Sequence, residues 1–354
     1  MRWMIYGANG YTGRLVVDQA VRRGFKPVLA GRNSREIRVL ARQYGLSFRV
    51  FACDRDSIDL QDIDLVLHCA GPFINTFYPM LQACLRSSCH YLDISGEIAV
   101  FEKCAQMSDK IKQSGIIAMP GVGFDVVPSD CLLSYAAQAV NDVRHLILGV
   151  HARGPLSQGT MRTMVEGFLT KGAVRESGVL RLVPIAYRSS VLSFANRKRS
   201  CMTVPWGDIS TSFHSTGVPN IRVEFSSKAA WVFLLRLLRP LAILWGANWC
   251  KSILRKYIKT MAKGPDQGQL QAMGCDMVAY ALRSDGSGLR VHLQSVNGYQ
   301  LTANTALAAI ERIENSKLEA GFYTPSKAFG WEFIQNLEGV KLGDCVEVFE
   351  PELI

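Results

Sequence analysis

The first thirteen residues restrict what this chain can fold into more than any other stretch. Met1 to Tyr6 is a short apolar run with the character of a β-strand. It passes through Gly7-Ala8-Asn9-Gly10-Tyr11-Thr12-Gly13 directly into an apolar helix over Leu15 to Val21. A strand, a glycine-rich turn and a helix start, in that order, are what a dinucleotide pyrophosphate requires. The unpaired N–H groups of the first helical turn and the positive end of the helix dipole face the anion. Gly7 permits the tight turn, Gly10 lets the backbone approach phosphate, and Gly13 allows close packing of the helix on the sheet. The spacing is G-x-x-G-x-x-G, a variant of the commoner G-x-G-x-x-G, and its weight comes from the flanking strand and helix.

The next strand, Pro27 to Ala30, is followed by Gly31-Arg32-Asn33-Ser34. The end of this strand lies beside the adenosine ribose in such folds, where an acidic residue selects NAD and an arginine accommodates the 2′-phosphate of NADP. Arg32 stands nineteen residues after Gly13, and no Asp or Glu occupies 28 to 35. A guanidinium can make two charge-assisted bonds to phosphate, with Asn33 and Ser34 adding neutral ones. The expected cofactor is NADP(H).

Strand and helix patterns alternate as far as Met119. Phe48–Ala52, Asp64–Cys69, His90–Asp93 and Gly115–Met119 read as strands. Arg35–Tyr44, Pro79–Ser87 and Val100–Gln113 read as helices. The run Asp64 to Cys69 is almost continuously apolar, as befits a central parallel strand buried on both faces. The expectation is a doubly wound parallel α/β sheet over residues 1–130. Beyond residue 145 the alternation stops. Leu146–His151, Arg222–Phe225, Asp276–Arg283 and Leu289–Ser295 read as strands, the last two joined by the hairpin signal Asp285-Gly286-Ser287-Gly288. Residues 131–300 are therefore expected to form an inserted α+β substrate or dimerisation domain with a mixed or antiparallel sheet. Thr302–Asn315 and Ser326–Asn336 read as helices, and 301–354 is expected to pack back on the nucleotide domain.

With these pieces placed, the chain resembles the saccharopine dehydrogenase-like oxidoreductases, and within them the branch containing trans-acting enoyl reductases. The resemblance is carried by residues 6–13, by Ala30-Gly31-Arg32-Asn33, by Cys69-Ala70-Gly71-Pro72-Phe73 and by Tyr91-Leu92-Asp93-Ile94-Ser95-Gly96-Glu97. It continues through Gly123-Phe124-Asp125-Val126-Val127-Pro128-Ser129-Asp130, with weaker matches at Gly159-Thr160, Gly264-Pro265, Gly298-Tyr299 and 324–330. It implies an NADP-binding Rossmann domain, an inserted substrate domain and C-terminal helices. It also implies a redox function toward a hydrophobic substrate, in the branch sometimes a lipid or glycolipid precursor.

Ligands of open α/β sheets lie outside the carboxyl ends of the strands. Besides the opening turn, Arg32 and Asn33, the expected cofactor contacts are Cys69, Ala70, Gly71, Pro72, Phe73 and Asp93, with Glu97 nearby. Phe73 reads equally as core. Enoyl or carbonyl reduction also needs a proton donor. Ser129, Thr160, Tyr299 and Asp125 are the candidate catalytic residues, Asp125 reading also as the N-cap of a helix that begins near Pro128. Tyr323 and Lys327 spell Y-x-x-x-K, but Pro325 between them argues against a shared helical face.

Ten scattered cysteines, with no C-x-x-C and no zinc-type Cys/His spacing, point to reduced thiols and a cytoplasmic compartment with no metal site. No signal peptide is expected. The formal charge of +10 is concentrated in residues 131–270, where 19 Lys/Arg face 6 Asp/Glu. Within it, residues 229–259 combine apolar and basic character. From Leu241, Trp245, Trp249, Ile253 and Tyr257 share one helical face, and Lys251, Arg255 and Lys259 the opposite one. That pattern suits a peripheral membrane contact, a core helix or a homodimer face, and disfavours nucleic acid because the tryptophans are sequestered from the basic face. The reading from sequence is an NADPH-dependent oxidoreductase acting on an enoyl or carbonyl group of a hydrophobic or lipid-linked small molecule. A non-catalytic NADP(H)-binding sensor or scaffold, or a membrane-surface adaptor, is the alternative.

Overall fold

In a computed structural model the chain is described over residues 1–54, 57–154, 161, 171–195, 197–237, 268 and 273–354. These residues divide into two units. One comprises Met1–Val127 with Tyr299–Phe329, the other Pro128–Gly298 with Gly330–Ile354.

The first unit is built on a seven-stranded sheet. In chain order its elements are β1 (Trp3–Tyr6), α1 (Tyr11–Arg22), β2 (Val28–Gly31), α2 (Ser34–Tyr44), β3 (Phe48–Val50), β4 (Leu65–His68), α3 (Phe73–Ser87), β5 (His90–Asp93), α4 (Ile98–Gln106), α5 (Ser108–Gln113) and β6 (Ile117–Met119). A late two-residue strand, Gly321–Phe322, joins β6. From it the order runs β6-β5-β4-β1-β2-β3, every pairing parallel. This is the doubly wound Rossmann-type arrangement, and its order reverses between β1 and β4, where such sheets open a ligand crevice. β1, β2 and β4 are each four residues long and buried throughout, which is why they appear in sequence as unbroken apolar runs. On one face Met4, Val28, Val66 and Tyr91 pack with Phe77, Met80 and Leu81 of α3 and with Val100 and Cys104 of α4. Each fully buried large apolar side chain contributes roughly 1.5–3 kcal/mol. α2 shows why its ends lie where they do. Asn33 caps it by accepting from Glu36 N at 3.2 Å, and Gly45 closes it in the left-handed region.

The second unit opens with α6 (Val127–Gln138) and carries a nine-stranded mixed sheet. Its strands are β7 (His145–Ala152), β8 (Gly172–Glu176), β9 (Val179–Val183), β10 (Ser189–Phe194), β11 (Arg197–Thr203), β12 (Asn220–Ser226), β13 (Gly274–Leu282), β14 (Ser287–Val296) and, after the Gly321–Phe322 strand (β15), β16 (Val340–Phe349). Its main order is β10-β11-β12-β7-β13-β14-β16. β7 and β12 are parallel, the rest antiparallel, and the β8–β9 hairpin attaches through β12. The β13–β14 hairpin lies where its turn residues indicate.

Two expectations are corrected here. The tail does not return as a block to the nucleotide domain. The helix Gly298–Asn315 and residues up to Phe329 do so, but 330–354 belong to the second unit, where β16 adds to the edge strand β14. The helix read over Ser326–Asn336 is Pro325–Phe329 followed by a 3₁₀ turn, Trp331–Ile334, because Gly330 between them has φ +76°. Of segment 229–259, only the helix Ala229–Leu237 lies among the described residues. No described helix is long and apolar enough to cross a membrane, and no described group of His, Cys, Asp and Glu could hold a metal ion.

Candidate functional site

The opening turn is built by its own backbone. Gly7 has φ +85°, and a Cβ there would stand 2.9 Å from Ala70 Cβ. The amides of Gly7 and Ala8 both donate to Ala30 O, at 2.8 and 3.2 Å, and Gly10 N donates to Gly7 O at 3.0 Å. These residues shape the turn and tie β1 to β2, and their N–H groups are already used. A Cβ on Gly13 would come within 2.3 Å of Gly7 O, so α1 starts hard against the turn. Gly10 differs: a Cβ there would meet only Gly7 O, at 3.2 Å, with space beyond. The α1 N-terminus has neither a side-chain cap nor an acidic residue in its first turn. Its dipole is therefore uncompensated at the switch point, which suits a diphosphate.

At the end of β2, Arg32 and Asn33 are exposed. Asn33 is committed to capping α2, and its Nδ2 donates to Glu36 Oε1 at 2.7 Å. Glu36 also accepts from Asn9 Nδ2 at 2.9 Å and lies 4.0 Å from Arg14 Nη2. A carboxylate thus stands against Asn33, the residue after Arg32, although none occupies 28–35. The N-x-x-E spacing of Asn33 and Glu36 was its sequence signal. Asn9 acts through its side chain, lying over Gly31 and reaching Glu36.

After β4 the chain turns through Cys69, Ala70 and the cis Gly71–Pro72 peptide. His68 is buried and holds this turn through Thr76. Its Nε2 is 2.9 Å from Thr76 Oγ1, which donates to Ala70 O at 2.8 Å. Burial pushes the imidazole down to about 3, so it is neutral. Burial raises the Cys69 thiol, with Asp93 adding to the effect, so Cys69 is not a thiolate nucleophile. Phe73, proposed from sequence as a cofactor contact, turns its ring into the core, edge-on to His68 at 5.3 Å.

Asp93 is likewise corrected. It is fully buried and its oxygens accept from Tyr91 Oη at 2.7 Å, Ser95 N at 2.9 Å and Gly121 N at 2.8 Å. A carboxylate removed from water needs such donors. Burial raises its pKa, and the three hydrogen bonds act in the opposite sense. It knots the ends of β5 and β6 and is structural.

Two other carboxyl groups remain at these strand ends. Glu97 accepts from Phe73 N at 2.9 Å and Ile74 N at 2.7 Å, capping α3 from outside its own helix. Asp125 lies against Gly96, where a Cβ would be 2.9 Å from Asp125 Cβ. Its carboxyl accepts no hydrogen bond among the described residues, so it does not cap α6 as the sequence suggested. Burial and the neighbouring Glu97 charge push Asp125 up to about 7. The returning helix Gly298–Asn315 fixes this loop: Phe124 N donates to Thr302 Oγ1 at 3.0 Å, and Thr305 Oγ1 to Val122 O at 2.7 Å. Tyr299 stacks edge-on against Tyr11 at 5.0 Å, beside the opening turn. Ser129 is fully buried in α6 in the second unit, and Thr160 lies outside the described residues. Tyr323 precedes the helix Pro325–Phe329 that carries Lys327, so the two do not share a helical face.

Residues 3–119 match the family described as the saccharopine dehydrogenase NADP binding domain. The cofactor class is NADP(H). A probable mitochondrial saccharopine dehydrogenase-like oxidoreductase of Arabidopsis thaliana is 31% identical over 155 residues, 38% of this chain and 34% of its own length. The human saccharopine dehydrogenase-like oxidoreductase is 24% identical over 213 residues, 51% of this chain and 49% of its own. A trans-acting enoyl reductase of Mycobacterium bovis is 25% identical over 138 residues, 36% of this chain and 33% of its own. The matched stretches therefore span a third to a half of these relatives. The fold of the whole chain is similar to apo saccharopine dehydrogenase (L-Glu forming) of Saccharomyces cerevisiae, with a TM-score of 0.63, 11% identity and coverage of 98% and 99% of the two chains. The residues present suit the cofactor: an uncapped helix start, an open Gly10 and a guanidinium after β2.

Proposed function

We propose that the chain reduces a polarised double bond, an enoyl or carbonyl group, of a hydrophobic and lipid-linked substrate with NADPH. Bound at the switch point, the cofactor supplies hydride. The α1 N-terminus holds its diphosphate and Arg32 its 2′-phosphate. The observation that carries the reading is the carboxyl pair at the ends of β5 and β6. Glu97 is fixed by two amides, whereas Asp125 has no hydrogen-bond partner among the described residues and holds its proton up to about pH 7. A carboxylic acid of that strength can protonate the carbon or oxygen left electron-rich by hydride addition, and its ideal pKa lies near working pH. Asp125 is thus the proposed proton donor, ahead of Tyr299, Ser129 and Thr160. Two observations support a hydrophobic substrate: the likeness to an enoyl reductase and the helix Ala229–Leu237, which exposes Trp231, Phe233 and Leu237 and would sit at a membrane surface.

The test is NADPH oxidation against a panel of enoyl and keto acyl substrates, comparing the wild type with Asp125→Asn. Turnover that falls at least about a hundredfold in the variant, with NADPH affinity unchanged, supports the proposal. Full activity in Asp125→Asn removes Asp125 from the chemistry. No turnover on any substrate, despite tight NADPH binding, favours the sensor reading.

A further inference from the structure

The second unit has a charged concavity that the redox chemistry does not use. Antiparallel pairing sets Phe194 opposite Arg197 and Leu192 opposite Arg199. It sets Asp276 opposite both His151 and Gln294. Directly opposed residues share a sheet face, and a Cβ on Gly149 of β7 would touch Leu192, Val278 and Phe194 together. All these side chains therefore rise from the face whose apolar part is Ile147, Leu192, Phe194, Val278 and Tyr280. At its margin Arg153, Arg197, Arg199, Phe194, Asp276 and Gln294 line a cavity of about 100 Å3.

The charges here do not balance. Asp276 is held on both oxygens, 3.8 Å from Arg153 Nη2 and accepting from Gln294 Nε2 at 3.1 Å. Arg197 and Arg199 have no carboxylate partner among the described residues. Arg199 lies over the Phe194 ring, 5.9 Å from its centroid, and its Nε is buried with no hydrogen-bond partner. A buried unsatisfied donor on a cation is costly unless a ligand completes it. His151, hydrogen-bonded to Ser226 Oγ at 2.6 Å, reports the same field. Burial lowers its pKa first, then Arg199, with Arg153 and Arg197 in the same sense and Asp276 opposing. Three guanidiniums against one carboxylate leave two positive charges around a space far smaller than a cofactor pocket. That combination suits a single compact dianion, and planar guanidinium forks match phosphate oxygens.

We propose that Arg197 and Arg199, with Arg153 beside them, form a phosphate-binding site at the margin of this face of the second sheet, separate from the dinucleotide site. Phosphate can come free or as the head group of a lipid whose body stays outside the cavity.

The experiment uses the full chain saturated with NADPH, so that the 2′-phosphate site is filled. Inorganic phosphate is titrated calorimetrically at constant ionic strength. In a second arm, sedimentation is measured with vesicles of phosphatidylcholine alone and with added phosphatidate. The proposal expects saturable binding in at least one arm, weakened at least about tenfold by the double substitution Arg197→Gln and Arg199→Gln. Binding should be unchanged by Arg181→Gln on the neighbouring hairpin. Retained NADPH affinity in the double variant shows that the first unit is folded, an unchanged circular dichroism spectrum and melting temperature that the second is, and Arg199→Lys should restore part of the binding. Binding confined to phosphatidate vesicles assigns the source to a lipid head group. Binding of inorganic phosphate assigns it to a soluble phosphate. No binding in either arm, binding indifferent to the two arginines, or phosphate binding seen only without NADPH overturns the proposal. None of these readouts requires turnover, so the site can fail while the redox reading stands, and the reverse.

Discussion

Arg32 follows β2 and Glu36 lies in the first turn of α2, and their opposite charges lead to opposite expectations for the cofactor. Arg32 is exposed and available to a 2′-phosphate, whereas Glu36 is held nearby by Asn9 and Asn33. Arg32→Gln removes charge-assisted bonds worth about 1.5–3 kcal/mol, so NADPH affinity should fall ten- to a hundredfold while NADH affinity barely changes. Glu36→Gln removes the negative charge, at the cost of one of the two bonds from Asn9 and Asn33, and should tighten NADPH several-fold. Fluorescence titration of both variants with both coenzymes checks the pair, and a shared direction of effect would contradict it. Asp125 gives a second expectation at this scale. Its pKa is raised from 3.8 to about 7 in the folded chain, so between those values the folded state binds more proton than the unfolded. The contribution of this group to stability is complete below about pH 4 and is lost as pH rises through 7. Asp125→Asn should therefore melt a few degrees above the wild type at pH 8 and coincide with it near pH 4. Melting curves across that range decide the matter, and a difference independent of pH would rule out the raised pKa.

At the level of elements, the opening strand, turn and helix were legible because their sequence requirements are local. Gly7, Gly10 and Gly13 nevertheless do different work, which spacing alone does not separate. A Cβ at Gly13 collides with Gly7 O at 2.3 Å, whereas one at Gly10 meets the same oxygen at 3.2 Å and nothing else. Gly13→Ala should destabilise the fold, lowering the melting temperature by roughly 5–10 °C. Gly10→Ala should fold normally and lose about tenfold or more in NADPH affinity, because its methyl group occupies space meant for phosphate. Thermal melts with coenzyme titration separate the two, and normal NADPH binding by Gly10→Ala would exclude close phosphate approach there. Several strands that sequence did not reveal share a physical reason. β9 and β16 are largely exposed, and β10 and β11 carry serines and arginines between their few buried residues. Such strands lack the apolar run that marked β1 and β4. The roles of Asp93 and Phe73 were hidden for a different reason. Three donors converge on one carboxylate only after β5 and β6 are paired, and Phe73 packs edge-on to a His68 ring that is itself bonded to Thr76.

Over the whole molecule, the chain leaves its nucleotide domain after Val127 and re-enters it at Tyr299, so the amino-terminal sheet is completed by residues far away in sequence. The returning helix supplies Thr302 and Thr305 to the Val122–Phe124 loop, and Asn304 accepts from Gln19 of α1 and from Arg23 just after it, at 3.0 and 3.1 Å. The helical pattern of 302–315 was visible in sequence, but these bonds were not, since polar residues on an alanine-rich helix read equally as a solvated face. They link α1, whose N-terminus is the proposed diphosphate seat, to the loop that carries Asp125. Cofactor binding should therefore be felt along this connection as well as at the turn itself. At an NADPH concentration a hundred times Kd, ligation adds about 2.7 kcal/mol to the stability of the state that binds. Hydrogen exchange should slow most over residues 7–14 and, to a smaller extent, over 121–126 and the first turns of the returning helix. Thr302→Val combined with Thr305→Val breaks the bonds to Phe124 N and Val122 O without touching the turn. In that variant slowing over 7–14 should persist while slowing over 121–126 is lost. If 121–126 stays protected in the double variant, the linkage through the returning helix is absent and the loop responds to the cofactor directly.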